Sequence, residues 1–147
     1  MKKIMNLSIY CTLVLLFGCT NPIPKGQHND LNINLLTRVD VQRPTSHGSY
    51  EDEVMMVTNN ESIQVIRNVF KNIKWERNVD TKISRHEDVK ATFFYTYDEN
   101  MPELLTDYYI WFDELNQTAI VIEEAESSLG TIDEEHTLLL KELLLSQ

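Results

Sequence analysis

The groups with which this 147-residue chain could do chemistry are two cysteines, four histidines, 23 acidic residues and its Tyr and Trp side chains. His28 and His47 fall in segments with no hydrophobic period, where nothing holds a catalytic group in place. His86 heads the triplet His86-Glu87-Asp88, an imidazole beside two carboxylates, as in acid–base and metal sites. No second histidine follows four residues on, so the spacing that puts two zinc ligands on one helix face is missing, and the triplet reads as solvated loop charge. His136 follows Asp133-Glu134-Glu135 and reads as part of a helix start. Acids at Asp98-Glu99, Asp113-Glu114, Glu123-Glu124-Glu126 and Asp133-Glu134-Glu135 invite calcium, which takes several oxygen ligands, but none sits in an Asp-x-Asp-x-Asp-Gly loop. The sequence also lacks a Gly-x-Ser-x-Gly elbow, a glycine-rich phosphate loop and a Ser-x-x-Lys motif. The expectation is a chain with no catalytic residues, no metal and no cofactor.

The aromatic residues are the stronger lead. Along Tyr108 to Phe112, Tyr108, Ile110 and Phe112 point to one side of an extended chain, Tyr109 and Trp111 to the other. On the preceding stretch Phe93, Tyr95 and Tyr97 oppose Phe94. Helices on one face of a sheet cannot cover both sets. Either a second layer covers the other face, or an aromatic surface with Tyr95, Tyr109 and Trp111 meets a partner, as large exposed aromatic patches often do. These three are the candidate binding residues. The plainer reading is that the rings fill a core.

Cys19 has a different chemistry. Lys2 and Lys3 precede Ile4–Gly18, 15 residues without a charge. About 20 apolar residues are needed to cross a bilayer core as a helix, so residues 1–18 read as a signal peptide. The segment ends in Leu16-Phe17-Gly18-Cys19, which resembles the lipobox of bacterial lipoproteins, although Phe17 stands where a small residue is more usual. That resemblance implies a diacylglyceryl group on the Cys19 thiol, cleavage just before it, and anchoring by two or more acyl chains. Cys11 would leave with the signal peptide, so no thiol would remain for a disulfide, a nucleophile or a metal.

The signal segment holds two of the 13 basic residues and none of the 23 acids, so its removal takes the formal charge from −10 to about −12. So acidic a chain does not suit nucleic acid, which needs clustered Lys and Arg, nor a flat position on an anionic membrane. Residues 19–30 comprise the lipidated cysteine and the polar stretch TNPIPKGQHND, a tether whose 11 residues reach roughly 35 Å when extended.

Residues 31–147 must then form a single domain. Leu31–Gln42 alternates as a strand broken near Leu36-Thr37 and ended by Pro44, and Glu53–Thr58 forms a second. Thr58-Asn59-Asn60-Glu61 has capping-box spacing, and Ile63, Ile66, Phe70 and Ile73 recur at helical intervals, which predicts a helix over 59–74. Residues 75–90 read as loop. Strands follow at 91–97, 105–112 and 117–123, the last two joined by the turn Asp113-Glu114-Leu115-Asn116. Ser127-Ser128-Leu129-Gly130 reads as a turn, and a Leu-rich helix starts near Asp133. The order β, β, α, β, β, β, α predicts an α+β fold: a small antiparallel sheet with two helices packed on one face.

With its capped helix Thr58–Ile73, the strand Asp107-Tyr108-Tyr109-Ile110-Trp111-Phe112 and the Leu-rich end, the domain resembles the small YhfM-like lipoproteins and secreted proteins of Gram-positive bacteria. That resemblance implies a fold and a compartment rather than an activity. The function expected is a non-catalytic binding module held at the outer face of the cell membrane by the lipid on Cys19, with a protein or small molecule as partner. The alternative is a small extracytoplasmic hydrolase or metal-dependent enzyme, which requires a cleft where His86 or His136 meets carboxylates.

Overall fold

Seven strands form a single antiparallel sheet in the computed structural model of this chain, which describes residues 31–80 and 82–146. The expected signal peptide, Cys19 and the tether lie outside the described residues. A one-turn 3-10 helix, Ile33–Leu35, leads into β1, Leu36–Gln42. There the register shifts between Leu36 and Arg38, and Leu36, Val39 and Val41 turn inward. β2, Met55–Val57, pairs with β1 at one edge of the sheet. The first helix, α1, spans Asn60–Lys71. Its cap is Asn59, one residue later than the sequence suggests: the Asn59 side chain accepts from Ser62 N at 2.8 Å. Its buried residues Ile63, Ile66, Val69 and Phe70 share one face.

The helix ends at the Asn72 cap, and the chain becomes extended at once as β3, Lys74–Arg77. This strand and β7, Ser128–Ile132, stand where the sequence predicts the helix end and loop, and a turn. They pair with each other, Trp75 opposite Gly130 and Arg77 opposite Ser128. Neither carries a clear alternation of apolar residues, and what makes them strands is pairing: β7 lies between β6 and β3, and β3 takes the edge beside it. The turn expected at Ser127–Gly130 falls earlier, with Ser127 in the left-handed region at φ 49° and Glu123 paired with Ser128.

The remaining strands are β4, Val89–Tyr95, β5, Leu104–Asp113, and β6, Thr118–Glu123. The sheet order is β2-β1-β4-β5-β6-β7-β3. α1 therefore carries the chain from one edge of the sheet to the other, and the meander β4 to β7 fills the space between. The second helix, α2, spans Glu134–Leu145 with Asp133 as its cap. α1 packs on β1 and α2 on β6, and the helices touch each other. The inward sets of β1, β4, β5 and β6 join Ile66, Val69, Leu140 and Leu144 in one core. The α+β class, the antiparallel sheet and the two helices over one face are as expected. The sheet is larger than the small one predicted, by the edge pair β3–β7.

Rings from four elements meet beneath α1. Phe93 and Tyr108 have centroids 4.7 Å apart, Phe70 lies 4.5 and 5.0 Å from them, and Trp75 is 6.2 Å from Tyr108. Such tilted and edge-on pairs add roughly 0.5–1.5 kcal/mol each beyond the area they bury.

Candidate functional site: the helix-free face of the sheet

The other sheet face takes every second residue. The register places Lys90 beside Tyr109 and Tyr109 beside Ile122, Thr92 beside Asp107, Phe94 beside Leu105, and Trp111 beside Ile120. Tyr109 and Trp111 thus stand on the helix-free face, half-buried, as two of the three expected binding residues. The third does not. Tyr95 is 1% exposed on the helix side with Phe93, and it leaves the candidate surface. Pairing of Ala91 with Tyr108 fixes that parity, since directly opposed residues share a face. Burial raises the Tyr95 phenol to about 12, with the hydrogen bond from Tyr108 opposing that rise, and burial raises Tyr108 further still.

A strap crosses part of the helix-free face. The segment from β3 to β4 begins at the β6–β7 turn, where Val79 N donates to Ser127 O at 3.1 Å. It ends at the far end of β5, where Asp88 N donates to Ile110 O at 2.8 Å. On the way, Arg85 O accepts the indole N–H of Trp111 at 3.1 Å. Arg85 donates to both oxygens of Asp88 at 2.8 and 3.1 Å and to Phe112 O at 2.9 Å, while Asp88 Oδ2 accepts Phe112 N at 2.7 Å. The Asp88 hydrogen bonds raise the Arg85 guanidinium above its ordinary value, so the guanidinium stays charged. The second cover foreseen for the aromatic face is thus partly present, as a segment without regular secondary structure over Trp111 and Ile122.

What the strap leaves open is centred on Tyr109. A groove of about 400 Å³ is lined by Tyr109, Leu105, Thr92, Thr106, Asp107, Glu124 and Ala125. On its β4 side Thr92 Oγ1 donates to Asp107 Oδ1 at 2.6 Å, and Lys90 Nζ lies 3.0 Å from Asp107 Oδ2. Lys90 also lies 5.4 Å from the centre of the Tyr50 ring, and the Tyr50 hydroxyl donates to Glu87 Oε1, tying the strap to the 43–51 loop. Burial, then the Glu87 hydrogen bond, push the Tyr50 phenol up, and burial raises Tyr109 although Lys90 opposes it. Both phenols are neutral at physiological pH and can donate or accept. Next along β1, the Arg38 guanidinium stacks 3.6 Å from the Phe94 ring centre and pairs with Asp40 at 3.0 Å. Tyr50, Lys90 and Asp107 were not singled out from sequence. Strand alternation puts Lys90, Thr92 and Asp107 outward, but their meeting is a matter of cross-strand register.

The histidines are not brought together. His86 is exposed on the strap, its ring against Gly48. His136 lies in the first turn of α2, Nδ1 2.7 Å from Asp133 Oδ1, and the same oxygen accepts His136 N at 3.1 Å. Its carboxylate partner is therefore its own helix cap. Among the described residues no three His, Cys, Asp or Glu side chains are placed to hold a metal ion, and no helix is long and apolar enough to cross a membrane.

Comparison with solved structures finds a thioesterase-like protein from Clostridium sporogenes, to which this chain is similar at a TM-score of 0.52 and 17% identity. The match covers 76% of this chain and 96% of that one, and at such identity it is a likeness of fold. No protein-family model matches the sequence, and no curated protein does.

Proposed function

We propose that this chain is a lipoprotein anchored by Cys19 to the outer face of the cell membrane, and that its domain is a non-catalytic binding module working through the Tyr109 groove. The observation that carries the binding reading is the groove itself. A half-buried phenol lies among apolar and charged walls in a volume within the roughly 300–1,000 Å³ of small-molecule sites. The tyrosine offers a flat apolar surface and a polar tip at low entropic cost, as recognition surfaces do. The net acidity of the chain and the carboxylate of Glu124 at the rim favour a partner with basic groups beside an apolar one. The anchor reading rests on Lys2-Lys3, the uncharged stretch to Gly18 and the Gly18-Cys19 junction.

Hydroxyl-radical footprinting of intact producing cells and of salt-washed membranes tests the groove, because salt strips a charge-held partner. Tyr109 should be protected in cells and labelled after washing, with Leu115, 96% exposed on the β5–β6 turn, labelled equally in both. Equal labelling of Tyr109 in both would remove the binding reading. The intact mass of the membrane-derived protein, beside a Cys19→Ala variant, tests the anchor. A chain starting at Cys19 with acyl mass lost in the variant is expected; a full-length unacylated chain would overturn it.

A further inference from the structure

Exposed large apolar side chains are unevenly spread over the domain. Val54 and Met56 lie at the β2 edge, and Leu115, Leu138 and Leu139 on the β5–β6 turn and α2. The other four, Tyr97, Met101, Leu104 and Leu105, fall within one short stretch at the β4–β5 hairpin and are 46–64% exposed. Their hairpin is internally braced. Asp98 Oδ1 accepts Asn100 N at 2.8 Å, Met101 N donates to Asp98 O at 3.1 Å, and Glu103 accepts the hydroxyls of Thr37 and Thr96 at 3.2 and 3.1 Å. Asp98 and Glu103 are thus engaged by groups of the hairpin and of β1, while the apolar side chains stand outward.

The chain also joins the domain here. Asn32 N donates to the Tyr97 hydroxyl at 3.3 Å, Thr96 N donates to Leu35 O at 3.1 Å, and Leu36 pairs with Tyr95. The described domain therefore begins beside the exposed cluster. We propose that the β4–β5 hairpin end, with Tyr97, Met101 and Leu104 at its centre, docks on the lipid surface of the membrane; this rests on the reading of Cys19 as the lipid anchor. A tyrosine among apolar side chains suits the level of the headgroups, and an apolar contact added to an acyl anchor orients a domain that the anchor alone leaves free to tumble. Docked this way, the domain keeps α2 off the bilayer. Asp98, Glu99 and Glu103 set the lipid preference: they repel anionic headgroups, so the surface taken is rich in zwitterionic lipid.

The test encodes a benzophenone side chain at 101, 104 or 138 in the full chain, reconstituted on phosphatidylcholine liposomes and irradiated. Leu138 is the control, as apolar as Leu104 and 55% exposed, but on α2. Lipid adducts at 101 and 104 should exceed those at 138 by about tenfold, the factor that roughly 1.4 kcal/mol of differential burial gives. They should fall on phosphatidylglycerol-rich liposomes and recover there as salt is raised. Equal lipid adducts at all three positions would overturn the proposal, as would adducts at 101 and 104 to residues 1–18 or to a second copy of the chain. Intact mass on the same sample reads the anchor separately: an acylated chain without lipid adducts at 101 sinks the docking alone, and an unacylated chain with them sinks the anchor alone.

Discussion

At Gly130 a missing side chain decides whether the far edge of the sheet can close. A Cβ built there would lie 2.5 Å from Ile73 Cγ2 and 3.0 Å from Trp75 Cζ3. Ile73 is buried and Trp75 packs on the core, so neither is a loose surface group that can swing away. Gly130→Ala should therefore destabilise the domain by about 1–3 kcal/mol, the usual cost of overpacking, read as a lower midpoint in urea unfolding. Ile73→Ala carries its own cost of about 2–5 kcal/mol, but the double variant should lose less than the sum of the two, because the changes share one contact. An additive double variant would place the cost elsewhere. Single residues were legible where parity alone sufficed: the alternation through Tyr108–Phe112 sorts Tyr109 and Trp111 from the core set correctly. It could not say which set of the 93–97 stretch goes with the helices. That depends on Ala91 lying opposite Tyr108, a long-range pairing that leaves no mark in the local sequence. For that reason Tyr95 lies in the core and not on the surface where alternation alone would allow it.

Elements were legible wherever a local signal sufficed and were missed where pairing makes the structure. α1 shows both the strength and the limit. Its apolar face predicted the helix, but Asn59 holds the cap and not Thr58, since the Asn59 carboxamide reaches Ser62 N. Asn59→Ala should cost about 1 kcal/mol and Thr58→Ala less than half of that, the reverse of what a Thr58 capping box requires. Equilibrium denaturation of the two variants decides between them. At the start of α2, Asp133 is held below its ordinary 3.8 by accepting His136 N and the His136 ring. A carboxylate depressed on folding contributes stability that is complete above the unfolded value and is lost as pH falls through the folded one. Asp133→Asn should therefore flatten the stability profile between about pH 5 and pH 2 relative to the unsubstituted chain, and thermal melts across that range would show it. A profile unchanged in slope would mean that His136 does not hold this carboxylate in solution. β3 and β7, by contrast, were invisible. Lys74–Arg77 is polar at three of four positions and Ser128–Ile132 holds Ser, Gly and Thr, so the extended form comes from the pairing of β7 with both β6 and β3 and from the room that Gly130 leaves.

For the whole molecule, the decisive feature is that the sheet is covered differently on its two faces. The helix side is a continuous apolar core, while the strap is fixed over the other side by discrete hydrogen bonds. Two such layers should not open together. A strap held by the Trp111–Arg85 bond, the Asp88 clasp and the Tyr50–Glu87 link can release locally, while loss of the α1 and α2 contacts requires global unfolding. Trp111→Phe keeps a ring over the sheet and deletes only the indole N–H. A net hydrogen bond is worth about 1 kcal/mol, so the open strap should become about fivefold more populated. Amide exchange at Val79 and Asp88, the two tied ends of the strap, should quicken by that factor. The amides of Ile66 and Ile110 should be set by global unfolding in both proteins and change little. Release of the strap would also widen the Tyr109 groove toward Ile122, because the turn residue Glu124 lines both that groove and the space under Val79. A ligand that needs the wider groove should then bind Trp111→Phe more tightly, in proportion to the gain in open population. If Val79, Asp88, Ile66 and Ile110 all exchange through one global event, the strap is part of the core, and the groove is as rigid as the sheet that forms its floor.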